Sequence, residues 1–230
     1  MLSTIAINSS LISYAAPFTY EESLKYSVSN NVSNSALDYI PSKYDGVDLF
    51  RTNFDITQMT ENEKELYNYL IDREVDKYIL TNHSNESKAE VRKGIEDILT
   101  SNSINSSNDS ELSFYSSAPW WHLNTVSKVG AAIDVVISAG IASIGGGLAS
   151  AGIRGLIAKV GEAEAKKIVQ NVVVNKVKNT LIAWGMSGMA SKVSGSLLTI
   201  IMWAADPGTQ IAEKLDSVDA HPNNGYLEIW

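Results

Sequence analysis

The stretch 129–153, VGAAIDVVISAGIASIGGGLASAGI, decides the fold, because only one of its 25 residues, Asp134, is charged. A second stretch of 25 residues, 181–205, LIAWGMSGMASKVSGSLLTIIMWAA, has a single charged residue, Lys192. A bilayer core of roughly 30 Å needs about 20 helical residues, so each stretch is long enough to cross it. The two stretches therefore predict a C-terminal bundle of apolar helices, either in a soluble core or in a membrane.

The free energy of membrane insertion is small for both stretches. The Ile, Val and Leu residues of 129–153 contribute roughly −3 to −5 kcal/mol in total, and Asp134, near one end of the stretch, opposes them. Lys192 lies at the midpoint of 181–205, where a charge costs about 3 kcal/mol. The glycines at 145–147 predict a break in the first helix, because glycine has low helix propensity. Neither stretch is expected to insert strongly alone.

Small residues recur four positions apart along both apolar stretches. In the first stretch Ser138, Ala142 and Gly146 share one helical line, and Gly140 opens a neighbouring line. Small side chains at this spacing allow helix backbones to approach closely, in membranes or in a soluble bundle. The spacing therefore predicts tight helix packing in either solvent.

Residues 154–180, between the apolar stretches, mix apolar positions with lysines and predict an amphipathic basic helix or helix pair. Lysines near anionic lipid are worth about 1 kcal/mol each. The candidates for anionic-lipid contact are Lys159, Lys166, Lys167, Lys176 and Lys178. The candidates for membrane insertion are Ile133, Val136, Ile137, Ile141, Ile144, Leu148, Ile182, Trp184, Leu197, Leu198, Ile201 and Trp203.

The formal charge of −8 is unevenly distributed along the 230 residues. Residues 1–116 carry 9 basic and 18 acidic side chains, residues 117–205 carry 8 and 3, and residues 206–230 carry 1 and 5. A basic apolar region therefore lies between two acidic ones. An acidic chain without a basic stripe argues against nucleic acid as a partner, because nucleic-acid binding depends on neutralising phosphates.

The N-terminal half predicts a helical hairpin. Thr60-Glu-Asn-Glu63 and Ser87-Lys-Ala-Glu90 both read as capping boxes, and apolar residues follow each box at helical spacing. Residues 19–58 are rich in Ser, Asn, Asp and Tyr, and predict loop, a short helix near 36–40 and partial disorder. The composition of 101–117, rich in Ser and Asn, predicts a linker that separates an acidic region at 17–100 from an apolar helical domain at 118–230.

The two ends of the chain carry further signals. Ser13 and Ala15 fit the small-residue pattern of a secretory cleavage site at Ala15, which predicts that 1–16 is a signal-peptide remnant, that the mature chain begins near Ala16 or Pro17 and that the protein is secreted. The alternative is that these residues are only a polar-apolar N-terminal arm, because no Lys or Arg precedes Lys25. Asp206-Pro207 is a helix start, with Asp as the N-cap residue. Residues 226–230 alternate as in a short extended arm.

No enzyme chemistry is predicted. The chain contains no cysteine, and its three histidines have no metal-binding spacing. Nucleophile elbows, phosphate-binding loops and dinucleotide fingerprints are absent from the sequence. We therefore expect neither a catalytic residue nor a metal or other cofactor.

The Ser13-Tyr-Ala15 site, the linker at 101–117 and the apolar stretches 129–153 and 181–205 together resemble the large, heat-labile, non-lytic bacteriocins of Gram-positive bacteria. The ending, from Asp206-Pro-Gly-Thr209 onward, is similar to secreted proteins of that group. The resemblance implies killing of related bacteria by dissipation of the membrane gradient. Its implied partners are the bacterial membrane, a membrane receptor on the target cell and an immunity protein in the producer.

The sequence thus predicts a mainly α-helical, secreted antibacterial protein that inserts apolar helices into the membrane of related bacteria. The alternative is a secreted or surface binding protein whose apolar helices form an ordinary soluble core. The first class requires that the apolar stretches partition into lipid, and the second requires that they stay packed.

Overall fold

The structure, a computed structural model, describes residues 40–82, 84–100, 125–147, 152–190, 206–219 and 221–227. This part of the chain is mainly helical, which confirms the predicted fold class. Its only extended pairing is one antiparallel bridge between Thr125 and Tyr226. The bridge lies at the start of the predicted C-terminal arm, whose residues 228–230 are outside the described ranges.

The predicted hairpin consists of helices α1 (Glu61–Asn82) and α2 (Lys88–Thr100), which pack against each other. Both capping boxes are formed. The backbone N–H of Thr60 donates to Glu63 over 2.7 Å, and that of Ser87 donates to Glu90 over 2.8 Å. These bonds satisfy backbone donors that the first turn leaves free, so the local sequence alone defines where both helices begin.

Residues 40–58, here called the collar, differ from the predicted loop with partial disorder. They form three short 3₁₀ turns, Ser42–Tyr44, Leu49–Thr52 and Ile56–Gln58. The collar has few apolar side chains, but it buries four of them in the common core: Ile40, Tyr44, Leu49 and Phe54. The composition therefore underestimated its order. The predicted helix near 36–40 lies almost entirely outside the described residues.

Helix α3 (Val126–Ala142) lies at the centre of the fold and packs against α1 and α2. After Ala142 the chain enters a turn at 143–147, here called the glycine turn, in which Gly145, Gly146 and Gly147 have φ values of 73°, 71° and 75°. These left-handed conformations suit glycine, which has no Cβ to clash. The predicted break in the first apolar stretch is therefore confirmed.

The basic segment forms helices, as predicted. Five helical elements and one π-helical segment follow the glycine turn within the described ranges: α4 (Gly152–Val160), α5 (Glu162–Ile168), a π-helix (Val169–Val174), α6 (Asn175–Ala183), α7 (Ser187–Ala190) and α8 (Pro207–Asp216). The π-helix and α8 both pack against α3. Helix α8 begins as predicted, with Asp206 accepting a hydrogen bond from the backbone N–H of Thr209.

The second apolar stretch does not form one long helix in its described part. Helix α6 ends at Ala183, the chain turns at Trp184 and Gly185, and α7 is a single short helix. Residues 191–205 lie outside the described ranges. Among the helices that the structure describes, none has both the length and the apolar character needed to cross a bilayer.

Candidate functional site

Helix α3 is enclosed on nearly every side. All but two of its 17 residues are buried, and the helices around it come from both halves of the chain. The helix carries a charge at its middle, since Asp134 lies eight residues from either end. Within the stretch 129–153 Asp134 lies near one end. The helix instead begins at Val126 and ends at Ala142, which places Asp134 at its middle. An apolar helix with a central, fully buried carboxyl group must find polar partners for it.

The partners of Asp134 come from α1 and from the start of α8. The Lys77 ammonium group donates to Asp134 Oδ2 over 2.6 Å and to Asp206 Oδ1 over 2.9 Å. The Asp134 side chain has no exposed surface, whereas the Lys77 side chain is 20% exposed. One lysine thus joins the central helix to the N-cap residue of α8.

A second cation extends this group of charges. Arg73 donates to Glu74 Oε1 over 3.0 Å and to the hydroxyl of Ser138 on α3 over 2.6 Å. Both Arg73 and Glu74 are almost completely buried. The other oxygen of Glu74, Oε2, has no hydrogen-bond partner among the described atoms and lies 3.6 Å from the Lys77 ammonium. The five charged groups, here called the Lys77 cluster, are Arg73, Glu74, Lys77, Asp134 and Asp206.

Two glycines allow α8 to approach the cluster. The backbone N–H of Gly208 donates to Asp134 Oδ1 over 2.6 Å. A Cβ at Gly208 would lie 2.1 Å from the carbonyl oxygen of Gly130, and a Cβ at Gly130 would lie 2.7 Å from Thr209 Cα. The N-terminal end of α8, whose backbone N–H groups favour negative charge, therefore points at the Asp134 carboxyl group.

The electrostatics of the cluster follow from its burial and its charges. Burial raises the pKa of Asp134 well above its usual value, and the nearby carboxyl groups of Glu74 and Asp206 act in the same direction, while Lys77 opposes them. Burial works to raise the pKa of Asp206 too, but the Lys77 ammonium outweighs it and the pKa is lowered. Burial works to lower the pKa of Lys77, but the surrounding carboxylates, Asp134 foremost, outweigh it and raise that pKa.

A small cleft of about 60 Å³ opens beside the cluster. Polar side chains line much of it, including Thr81, Asn82 and Ser127. Its volume accommodates a few water molecules, whereas pockets for organic ligands are roughly 300 to 1,000 Å³. No group of side chains suited to hold a metal ion occurs among the residues that the structure describes. The cleft therefore gives water and protons access to the cluster.

The other end of α3 is held by the collar and by the glycine turn. The backbone N–H of Gly46 donates to the carbonyl of Ala142 over 2.8 Å, and Asp45 accepts from the N–H of Gly147 over 2.6 Å. Lys159 on α4 donates to the carbonyl of Gly147 over 2.6 Å. The C-terminal end of the central helix is thus fixed mainly through backbone groups, whereas its middle is fixed through charges.

The predicted insertion residues fall into three groups. Five of them are buried in the core of the fold: Ile133, Val136, Ile137, Ile141 and Trp184. Ile144 is half-buried, and the side chain of Ile182 is 50% exposed. The remaining five lie outside the described residues: Leu148, Leu197, Leu198, Ile201 and Trp203. Ala15, the predicted cleavage residue, also lies outside them.

Most of the predicted lipid-contact lysines have polar partners within the fold. Besides Lys159, Lys166 pairs with Glu162 over 2.6 Å, and Lys167 pairs with Glu164 over 3.3 Å. Lys176 pairs with Asp48 of the collar over 2.8 Å, and its ammonium lies 3.9 Å from the centre of the Phe50 ring. Lys178 is half-buried on the same helix. Neighbouring carboxylates therefore neutralise part of the positive surface that the sequence suggested.

Sequence reasoning missed the Lys77 cluster. It recognised Asp134 as the single charge in its stretch and Asp206 as a helix N-cap, but it did not connect either of them with Lys77. The usable signal was the isolation of Asp134, because a lone charge in an apolar stretch of a soluble core requires an opposite charge nearby. The sequence contained no information about which of the lysines supplies it.

The comparisons with known proteins gave no family for the chain. No protein-family model, no curated protein and no solved structure matches it.

Proposed function

We propose that the protein is a secreted antibacterial protein that inserts apolar helices into the membrane of related bacteria and dissipates their ion gradients. In this function the bacterial membrane is the target. A receptor on the target cell and an immunity protein in the producer are further proposed partners. No cofactor and no catalytic step are required.

The observation that supports this proposal is the composition and burial of α3. From Val129 onward the helix has only apolar or small residues besides Asp134, its other charged residue is Lys128 in the first turn, and helices from both halves of the chain enclose it. A helix that is apolar all round is found in the core of a large protein or in a membrane. In a chain of this size, such a helix can pass from the folded protein into a membrane only if the helices that enclose it separate from it.

The glycine turn allows helix α3 to become longer. Helix α3 has 17 residues, about 26 Å at 1.5 Å per residue, which falls short of a bilayer core of roughly 30 Å. Glycine adopts helical and left-handed conformations with similar ease, so the turn at 143–147 can become helical without a steric penalty. Helix α3 would then continue towards α4, and the apolar length would approach that of the whole stretch 129–153.

The pairing of charges between the two halves of the chain supports a protective role for residues 40–100. Lys128 on α3 donates to Glu86 over 2.5 Å, and Lys176 on α6 pairs with Asp48. Acidic residues of the N-terminal half thus occupy basic groups of the C-terminal half. In this proposal the N-terminal half keeps the apolar helix soluble until the protein meets a membrane.

The test uses a reversible cross-link that holds α3 in its packed position. A Cβ at Gly140 would lie 3.5 Å from Val173 Cα on the π-helix, so cysteines introduced as Gly140→Cys and Val173→Cys would be in direct contact and available for oxidation to a disulfide. The chain has no other cysteine, so this cross-link is the only one that can form within a single chain. Release of dye from vesicles of phosphatidylglycerol and phosphatidylcholine is measured for the oxidised and the reduced double variant.

We expect the reduced double variant to release dye and the oxidised one to be nearly silent, because release requires α3 to leave its neighbours. The two single variants, treated with the same oxidant, are the matched controls and should release dye in both states. Absence of dye release by the unmodified protein at micromolar concentration would contradict the proposal. Equal release by the oxidised and reduced double variants would contradict the role of α3.

A second candidate function, a secreted or surface binding protein with a soluble core, is favoured by the satisfied packing of α3. The same protein preparations distinguish the two functions. A single cooperative unfolding transition with no partitioning into vesicles supports the binding protein, whereas partitioning that follows reduction of the cross-link supports membrane action.

A further inference from the structure

The Lys77 cluster contains more carboxyl groups than cations. Its three carboxyl groups belong to Glu74, Asp134 and Asp206, and its two cations are Arg73 and Lys77. Asp134 has no exposed surface and Glu74 is about 1% exposed, so bulk water screens neither of them. An excess negative charge in such surroundings is costly, and retention of one proton makes the cluster neutral.

Asp134 and Asp206 are the carboxyl groups that can share this proton. Both accept from the Lys77 ammonium, and their side chains are within hydrogen-bonding reach of each other. Asp134 is the more deeply buried of the two, and burial raises its pKa whereas the pKa of Asp206 is lowered. The proton therefore resides on Asp134 more than on Asp206.

The surroundings of Asp134 limit which other groups influence it. Helix α1 presents Glu74 and Lys77, and the start of α8 presents Asp206. The phenol of Tyr78 lines the cleft and donates to Glu86, which pairs with Lys128. The charged residues of α2 pair elsewhere, as Lys88 does with Asp76 and Arg92 does with Asp72. The π-helix contributes apolar contacts to α3, through Val173 at Gly140.

Transfer of α3 from this site into hydrocarbon would change the affinity of Asp134 for its proton. In the folded protein the Lys77 ammonium and the Gly208 N–H both stabilise the charged carboxylate. Hydrocarbon offers neither partner, and a charged side chain at the centre of a membrane helix is strongly disfavoured. The carboxyl group therefore binds its proton more tightly in the membrane than in the cluster, and a molecule whose Asp134 has lost its proton in the fold must take one up from water on transfer.

We infer that Asp134 sets the pH dependence of membrane action: helix α3 leaves its packed position and enters the bilayer with a proton on Asp134, so that the middle of the helix carries no charge. This inference rests on the proposed membrane function. Acidification promotes entry, because a proton is consumed in the transfer. The position of Asp134 at the middle of α3 makes it the residue whose charge most opposes entry.

The experiment measures dye release at pH values between about 5.5 and 7.5, a window above the ordinary range of the other carboxyl groups. The full chain is used with its three histidines replaced by glutamine, because histidine titrates in the same window. The compared variants are Asp134→Asn and, as the matched control, Asp216→Asn. Asp216 is also buried, but it accepts from the backbone of Asn224 and Gly225, away from the cluster.

We expect the rate of release to rise as pH falls, by up to about tenfold per pH unit, in the chain with Asp134 and in the Asp216→Asn control. The Asp134→Asn variant should release dye at a rate that does not change with pH and that equals or exceeds the rate of the parent chain at the lowest pH. An unchanged pH dependence in Asp134→Asn, or none in the parent chain, would overturn the inference and leave the membrane function standing. No release from any chain at any pH would instead contradict the membrane function itself.

Unfolding in urea, measured over the same window without lipid, detects the buried proton independently. A carboxyl group whose pKa is raised by folding contributes stability at low pH and loses that contribution as pH rises through its folded pKa. We therefore expect the parent chain to lose stability with rising pH and Asp134→Asn to show a flatter profile. Equal profiles for the two chains would show that folding does not raise the proton affinity of Asp134 in this window, and would overturn the proton-retaining cluster from which the inference is argued, even if Asp134→Asn altered membrane activity through poor folding.

Discussion

The α1–α2 hairpin and the central helix α3 differ in how far along the sequence their stabilising partners lie. The caps of the hairpin are closed by residues three positions apart, and Lys93 pairs with Asp97 four positions away. Helix α3 depends instead on Lys77, 57 residues away from Asp134, and on Gly208, 74 residues away. The hairpin is therefore specified locally, whereas α3 is specified by tertiary contacts. Substitutions in the two regions should differ accordingly in magnitude.

The largest effect is expected for Lys77→Met. This change removes the cation that joins the carboxyl groups of Asp134 and Asp206 and leaves the remaining negative charge of the cluster without its partner. Loss of one partner from a buried ion pair typically costs about 3 to 5 kcal/mol, and we expect a decrease of that order in the free energy of unfolding in urea.

The matched control for that change is Lys88→Met, which breaks an exposed pair between the two hairpin helices. Exposed pairs are worth about 0 to 1 kcal/mol, so the midpoint of unfolding should hardly move. If the two methionine variants lost equal stability, the contrast between the hairpin and α3 would be refuted.

The second effect concerns the contact between α3 and α8. In Gly208→Ala the new Cβ would lie 2.1 Å from the carbonyl oxygen of Gly130, which is backbone and cannot rotate away. The two helices must separate, and we expect a loss of about 3 kcal/mol together with weaker hydrogen-exchange protection in both.

Gly188→Ala, in α7, provides the control for the alanine substitution. A Cβ at Gly188 would meet nothing within 4 Å, so this change should be neutral or stabilise the fold by up to about 1 kcal/mol. An unaltered stability of Gly208→Ala in thermal or urea unfolding would mean that α8 does not press on α3 as the structure indicates.

The smallest effect is expected for a cap of the hairpin. In Ser87→Ala the hydroxyl that accepts from the N–H of Glu90 is lost, and the reciprocal bond from Ser87 N–H to Glu90 can persist. Loss of an N-cap side chain costs about 1 kcal/mol, and amide exchange should accelerate mainly in the first turn of α2. A global loss as large as that of Lys77→Met would argue against local specification of the hairpin.

What the sequence could predict follows the same division. The hairpin, its capping boxes, the start of α8 at Asp206 and the break at the glycine turn were all predictable, because each depends on residues within a few positions. The order of the collar was not predictable, because its few apolar residues stabilise it only by packing into the core, as Ile40 and Leu49 do. Composition alone cannot distinguish such a segment from a solvated loop.

The candidate site was predictable only in part. The unusual position of Asp134 in an apolar stretch was visible, but its pairing with Lys77 rather than with another lysine depends on how α1 crosses α3. The pairing of Lys166 with Glu162 and of Lys167 with Glu164 was predictable, because the residues of each pair are three to four positions apart on a helix. Burial of Ile133 and Ile137 fits the apolar periodicity equally well in a soluble core and in a membrane, so periodicity could not choose between them.

The contact between Lys77 and Asp206 also has a consequence for biosynthesis, because 129 residues separate the two side chains. A ribosome adds about 5 to 20 residues per second, so the 74 residues between Asp134 and Gly208 take roughly 4 to 15 s to synthesise. Throughout that interval Asp134 has been synthesised, but the residues of α8 that complete its polar partners do not yet exist. A nascent chain of this protein therefore passes through a period of several seconds in which a chaperone has better access to α3 than it has in the completed fold.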